Sequence, residues 1–156
     1  MSMSLRARRR ALMAAQGGDA GPNYIVPSNS AGRGTTVATF TDGNLLHVSS
    51  FAKGVDNDIR GYFARAISIK SGDTVRVKTT RKSGSFSGTI QAYVYVGEFT
   101  INPDSSAAWS SSIDVSRTAS ANTTAEYVRI RNSSNTRTGT NDSHLVEIFI
   151  NGEQVI

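Results

Sequence analysis

A period-two alternation of apolar and polar side chains runs from Asn23 to the end of the chain and restricts its fold more than any other feature. Runs rich in Val, Ile, Thr, Tyr and Phe are separated by clusters of Gly, Asn, Asp and Ser. The pattern predicts strands near residues 23–27, 35–41, 44–50, 60–69, 73–80, 88–97, 111–117 and 124–132, and a hairpin over 143–156. Because no helical segment separates them, we expect an all-β, antiparallel two-layer β-sandwich with a jelly-roll-like arrangement.

Three short segments are expected to form the turns of this sandwich. Asn151-Gly152 tolerates the positive φ angles of a tight hairpin turn and lies between two strand-like runs. Thr41–Asn44 and Lys70–Asp73 each contain Gly beside Asp or Asn, which is typical of turns.

The first 21 residues differ from the rest of the chain. Leu5–Gln16 consists of strong helix formers and predicts a short helix with one apolar stripe and one cationic side. A Gly-rich break follows, so we assign residues 1–21 to a basic arm with a hinge and residues 22–156 to the sandwich. So short a helix is marginal in isolation, and we expect it to order against a partner. The stripe is Leu5, Leu12 and Met13, and the cationic side is Arg6, Arg8, Arg9 and Arg10.

The formal charge of +5 belongs mostly to this arm. Its four arginines are the only charged residues among the first 18, which leaves 13 basic and 12 acidic residues in the body. We therefore expect no nucleic-acid partner for the folded domain. The chain also has no apolar run of membrane-spanning length, and its lack of Cys excludes disulfides and thiolate chemistry.

Alternation also predicts which face of each strand points outward. Val75 and Val77 form one face of their strand and leave Arg76 and Lys78 on the other. The same reasoning turns Gln91, Tyr93 and Tyr95 outward in a second strand, and Tyr127, Arg129 and Arg131 in a third. If the three strands are neighbours, their outer faces form one platform.

Such a platform suits carbohydrate, since sugar C–H groups pack on aromatic rings while hydroxyls bond to Arg and Gln. We predict a glycan site formed by Tyr93, Tyr95, Tyr127, Gln91, Arg76, Arg129 and Arg131. Two alternatives stay open, namely ordinary cross-strand pairs on a solvated sheet and a contact with a sister subunit. Trp109, in a polar stretch, is either a ligand-stacking residue at the rim or a cap on the core.

The remaining polar clusters indicate no cofactor. Asp56, Asn57 and Asp58 are a weak structural-calcium candidate, but the oxygen donors are too few and a solvated turn is favoured. His47 and His144 lack the further ligand that zinc requires and are expected to be packed or surface residues. No nucleophile elbow, HExxH or P-loop is present, so we expect no enzymatic activity.

The arm segment Met3-Ser4-Leu5-Arg6-Ala7-Arg8-Arg9-Arg10-Ala11-Leu12-Met13-Ala14-Ala15 resembles the opening of many minor structural proteins of phages and prophages of Gram-positive gut bacteria. The runs 69–77, 87–90 and 127–132 are similar to carbohydrate-binding-like jelly-roll modules of phage tail and fibre proteins. The resemblance implies a virion component with a role in host-surface recognition, and it transfers no ligand residue.

These observations together lead us to expect a virion protein, assembled in the host cytoplasm, whose sandwich binds host-surface glycan. Its arm would dock onto other virion proteins, and we expect a homo-oligomer, most simply a trimer. A capsid or tail decoration protein with only protein partners is the alternative, and a polysaccharide hydrolase is a distant one.

Overall fold

The computed structural model describes residues 21–28, 36–51, 58–84, 90–102, 107–109, 112–132 and 138–156. This part of the chain is all-β, as predicted. The predicted N-terminal helix, with all seven arm residues named above, lies outside the described residues. The strands are β1 (Val37–Thr41), β2 (Leu45–Phe51), β3 (Asp58–Ile69), β4 (Thr74–Gly84), β5 (Ile90–Val96), β6 (Phe99–Thr100), β7 (Ala107–Trp109), β8 (Ser112–Thr118), β9 (Thr123–Asn132), β10 (Thr138–Ile150) and β11 (Glu153–Gln154).

Two antiparallel sheets form a sandwich-like arrangement. The first sheet has the order β1-β2-β10-β4-β8, with β11 paired to β10, and the second has the order β3-β9-β5-β6, with β7 paired to β5. The inner faces bury Val, Ile, Leu, Phe and Ala side chains from both sheets in one core. The two-layer antiparallel prediction is therefore confirmed.

The predicted turns are found where the sequence places them. Asn151 and Gly152 have φ angles of 52° and 81° and close the β10–β11 hairpin. Asn44 and Gly72, with φ angles of 60° and 93°, lie in the other two predicted turns. The Asn151 side-chain amide also donates to Asp73 Oδ1 at 2.8 Å, so a hydrogen bond joins the turn at 151–152 to the turn at 70–73.

The strand predicted at 23–27 is instead a short strap with isolated bridges. Ile25 bridges to Phe63 in β3, and Ser28 bridges to Phe40 in β1, so the strap joins the two sheets along one side. Gly61 makes room for this crossing, since a Cβ there would lie 2.6 Å from the Phe40 ring and 2.8 Å from Ile25. Strands β6 and β7, of two and three residues, were not predicted.

Candidate functional site

Strands β3, β9 and β5 are neighbours in the second sheet and bring polar and aromatic side chains onto one outer face. The register forms three cross-strand rows, namely Asp58–Arg131–Tyr93, Arg60–Arg129–Tyr95 and Tyr62–Tyr127. The alternate residues of β5 and β9, including Val94 and Ile130, are buried in the core. We call this surface the tyrosine–arginine face, and its residues are Asp58, Arg60, Tyr62, Tyr93, Tyr95, Tyr127, Arg129 and Arg131.

An acidic residue holds two of the arginines in place. Asp58 Oδ2 lies 3.2 Å from Arg60 Nε and 3.4 Å from Arg129 Nε. Asp58 is only 6% exposed, so these contacts are shielded from water. The carboxylate therefore neutralises part of the charge of these two guanidinium groups and fixes their positions.

The same two arginines cover aromatic rings. The Arg129 guanidinium carbon lies 4.1 Å from the Tyr95 ring centroid, and that of Arg60 lies 5.1 Å from the Tyr127 centroid. Tyr62 meets Tyr127 edge-on, with centroids 5.7 Å apart, which is a favoured aromatic geometry. The centre of the face is thus a layer of alternating rings and guanidinium groups.

Two groups on this face have shifted pKa values. Burial raises the pKa of Tyr127, and its hydrogen bond to Glu98 Oε1 raises it further, so the hydroxyl stays protonated and donates that bond. Burial alone would lower the pKa of Arg60, but contacts with Tyr62 and Asp58 outweigh it and raise the pKa. At neutral pH the Tyr127 hydroxyl is therefore neutral and bonded to Glu98, and Arg60 is cationic.

One predicted member of the platform belongs elsewhere. Arg76 is in β4, which pairs with β10 and β8 in the first sheet, so it lies on the opposite side of the sandwich. There it forms an ion pair with Asp114 at 2.5 Å and lies over the Phe149 ring. Alternation predicted correctly that Arg76 points outward but carries no information on which sheet contains its strand.

Two members of the face were missed by sequence reasoning. Arg60 and Tyr62 alternate with Ile59, Gly61 and Phe63, which are buried. This alternation was available in the sequence and would have placed both side chains outward. Tyr62 is 48% exposed, so its ring is well placed to meet a ligand.

Several predicted site residues lie wholly or partly outside the described residues. The backbones of Gln91 and Trp109 are in β5 and β7, but their side chains are not described. Asp56 and Asn57 of the calcium candidate are also outside, while Asp58 contacts the two arginines. Within the described residues, no group of three His, Cys, Asp or Glu side chains could hold a metal ion.

The two histidines occupy the first sheet. His47 Nδ1 lies 3.1 Å from Ser143 Oγ, whereas His144 is fully buried and its Nε2–H donates to Asp142 Oδ2 at 2.7 Å. Asp142 is equally buried and also accepts a hydrogen bond from Thr140 Oγ1 at 2.9 Å. Burial lowers the pKa of His144 although Asp142 opposes the shift, so the ring is neutral at pH 7. Asp142 and His144 face the core, whereas His47 and Ser143 are half-buried on the other face of the first sheet.

No protein-family model matches the chain, and no curated protein matches it significantly. Nor does the described part of the chain contain a helix long and apolar enough to cross a membrane.

Proposed function

We propose that this chain is a non-enzymatic phage virion protein whose β-sandwich binds host-surface glycan through the tyrosine–arginine face. The observation that carries the proposal is the ordered set of rings and guanidinium groups on one solvent-facing side of a rigid sheet. The virion assignment follows the resemblance of the arm and of the strand motifs to phage structural proteins.

The strand order supports a jelly roll as the scaffold. One sheet contains strands in the order β2-β10-β4-β8, and the other contains β3-β9-β5 with β7 or β6 next to β5. Strands that follow one another in the chain, from β2 to β5, alternate between the two sheets. This is the pattern expected of two Greek keys folded together, which is the jelly roll of many lectin and capsid domains. Such a scaffold presents a broad, stiff outer sheet on which binding side chains stay preorganised.

The chemistry of the face matches a saccharide. Aromatic rings pack against sugar C–H groups, and arginine and tyrosine supply donors for hydroxyl oxygens. Because Asp58 and the neighbouring rings hold Arg60 and Arg129, little side-chain entropy would be lost on binding. Tyr62 and Tyr93 are the rings best placed for stacking, since within the described residues no cation lies over either of them.

A decoration protein that binds only virion proteins is the second candidate. Exposed apolar side chains border the face, since Val26 N–H donates to the Tyr62 carbonyl and Ala64 N–H donates to that of Tyr24. Tyr24 is 49% exposed and Val26 41% exposed. Together with Tyr62 they make this border suitable for a protein contact, where Tyr and Arg are enriched.

The test uses Tyr62 and Tyr24 as a matched pair, since their exposures are nearly equal at 48% and 49% but only Tyr62 belongs to the face. Glycan-array and host-cell binding are measured for Tyr62→Ala and Tyr93→Ala, with Tyr24→Ala as the matched control outside the face. We expect both face variants to lose binding, and the control to keep it, with melting temperatures close to wild type. Absence of glycan binding in the wild type, together with oligomers that dissociate in Tyr24→Ala and Tyr62→Ala, would instead identify this border as a subunit contact and favour the decoration role.

A further inference from the structure

Arg131 differs from the other two arginines of the tyrosine–arginine face. Arg60 and Arg129 both contact the Asp58 carboxylate and lie over tyrosine rings. Arg131 has neither an ion pair nor a ring contact within the described residues, although it is in register with Asp58. It is half-buried, so part of its side chain is open to solvent.

The carboxylates near this face are already engaged. Asp58 is shared by Arg60 and Arg129, and Glu98 accepts the hydrogen bond of the Tyr127 hydroxyl. Arg131 contacts neither of these two carboxylates, so neither of them compensates its positive charge. An uncompensated guanidinium group favours an anionic ligand because its planar donors match the oxygens of a carboxylate or phosphate.

A ring suited to stacking lies directly beside this charge. Tyr93 is the cross-strand partner of Arg131, and side chains in such pairs have Cβ atoms about 4.5–5.5 Å apart. Tyr93 contacts Tyr95 in a tilted arrangement with centroids 6.5 Å apart. A ring and a charge at this spacing would contact the body of one sugar unit and a charged substituent on it.

We infer that the tyrosine–arginine face selects saccharides carrying an anionic group, with the sugar ring on Tyr93 and its carboxylate or phosphate on Arg131. The inference rests on the proposed glycan binding and specifies its ligand class. A carboxylate from a uronic acid and a phosphate from a wall polymer offer the same chemistry to Arg131, so both belong in the test.

The experiment uses an array printed in matched pairs with the full-length protein. Uronic-acid oligosaccharides are placed beside their carboxyl-reduced neutral forms, and phosphate-bearing wall polymers beside their dephosphorylated forms. We expect the charged members of at least one series to bind about tenfold more tightly than the neutral ones, as the loss of one charged hydrogen-bonded contact implies. Binding to the charged members should weaken as salt is raised.

Variants assign the selectivity to one residue. Arg131→Gln should reduce binding of the charged members to that of the neutral ones, and Arg131→Lys should restore it only in part, since lysine lacks the planar fork. Arg76→Gln, which removes the same charge from the opposite sheet, should retain the preference. Equal binding of charged and neutral members would overturn the inference and leave the proposed function standing, whereas no binding to any printed saccharide would overturn both.

Discussion

The buried Asp142 carboxylate offers a quantitative test of the packing in the first sheet. It accepts one hydrogen bond from His144 at 2.7 Å and one from Thr140 at 2.9 Å, and the Asp142 and His144 side chains are fully shielded from water. Hydrogen bonds to charged groups contribute about 1.5–3 kcal/mol each. Removing Asp142 leaves the buried N–H of the neutral His144 ring without this acceptor, and an unsatisfied buried donor costs about 1–3 kcal/mol. Asp142→Ala should therefore lower the free energy of unfolding by about 1–3 kcal/mol.

Denaturant unfolding followed by tryptophan fluorescence and circular dichroism measures this loss. Asp114→Ala is the matched control, because Asp114 is also an aspartate in the first sheet but forms an exposed ion pair with Arg76. We expect the control to change stability little, as exposed ion pairs generally contribute little. An Asp142→Ala variant as stable as Asp114→Ala would refute the buried network described for β10.

Three further predictions concern pH, the strap and the arm. Burial lowers the pKa of His144 in the folded protein, so as pH falls below about 6.5 the unfolded chain takes up a proton at this residue before the folded chain does. The free energy of unfolding should therefore decline between pH 7 and 5. Denaturant unfolding of His144→Gln across that range should show no such decline. Gly61→Ala should cost about 1–3 kcal/mol in denaturant unfolding, because its Cβ would overlap the Phe40 ring; unchanged stability would contradict the crossing. Deleting residues 1–21 should shift the melting temperature by only a few degrees, and it should reduce the mass measured by light scattering from that of a trimer to that of a monomer. A loss of about 3 kcal/mol in the free energy of unfolding would instead place the arm in the core.

The sequence predicted the strands well because their signals are local. Alternation identified the buried faces of β4, β5 and β9, and Asn151-Gly152 identified the final hairpin. Sheet membership depends instead on pairing between distant segments, which alternation does not encode. Arg76 was therefore assigned to the wrong sheet, although its outward direction was correct.

The candidate site was predictable to a similar extent. Tyr93, Tyr95, Tyr127, Arg129 and Arg131 do share one face, as the alternation indicated. Strand β3 adds residues to the tyrosine–arginine face only because it pairs with β9. Neither the cross-strand rows nor the ion pairs of Asp58 could therefore be derived from the sequence. The buried hydrogen bond between Asp142 and His144 was likewise inaccessible, since the register of β10 shifts next to each of these residues.

The most direct test of the proposed binding face is to map a bound saccharide onto the backbone by NMR. Amide shifts of uniformly labelled protein are followed while an array-selected oligosaccharide is added. We predict that the largest changes fall on residues 58–62, 93–95 and 127–131, which form the tyrosine–arginine face. Changes confined to the first sheet, around Arg76 and Asp114, would contradict the account.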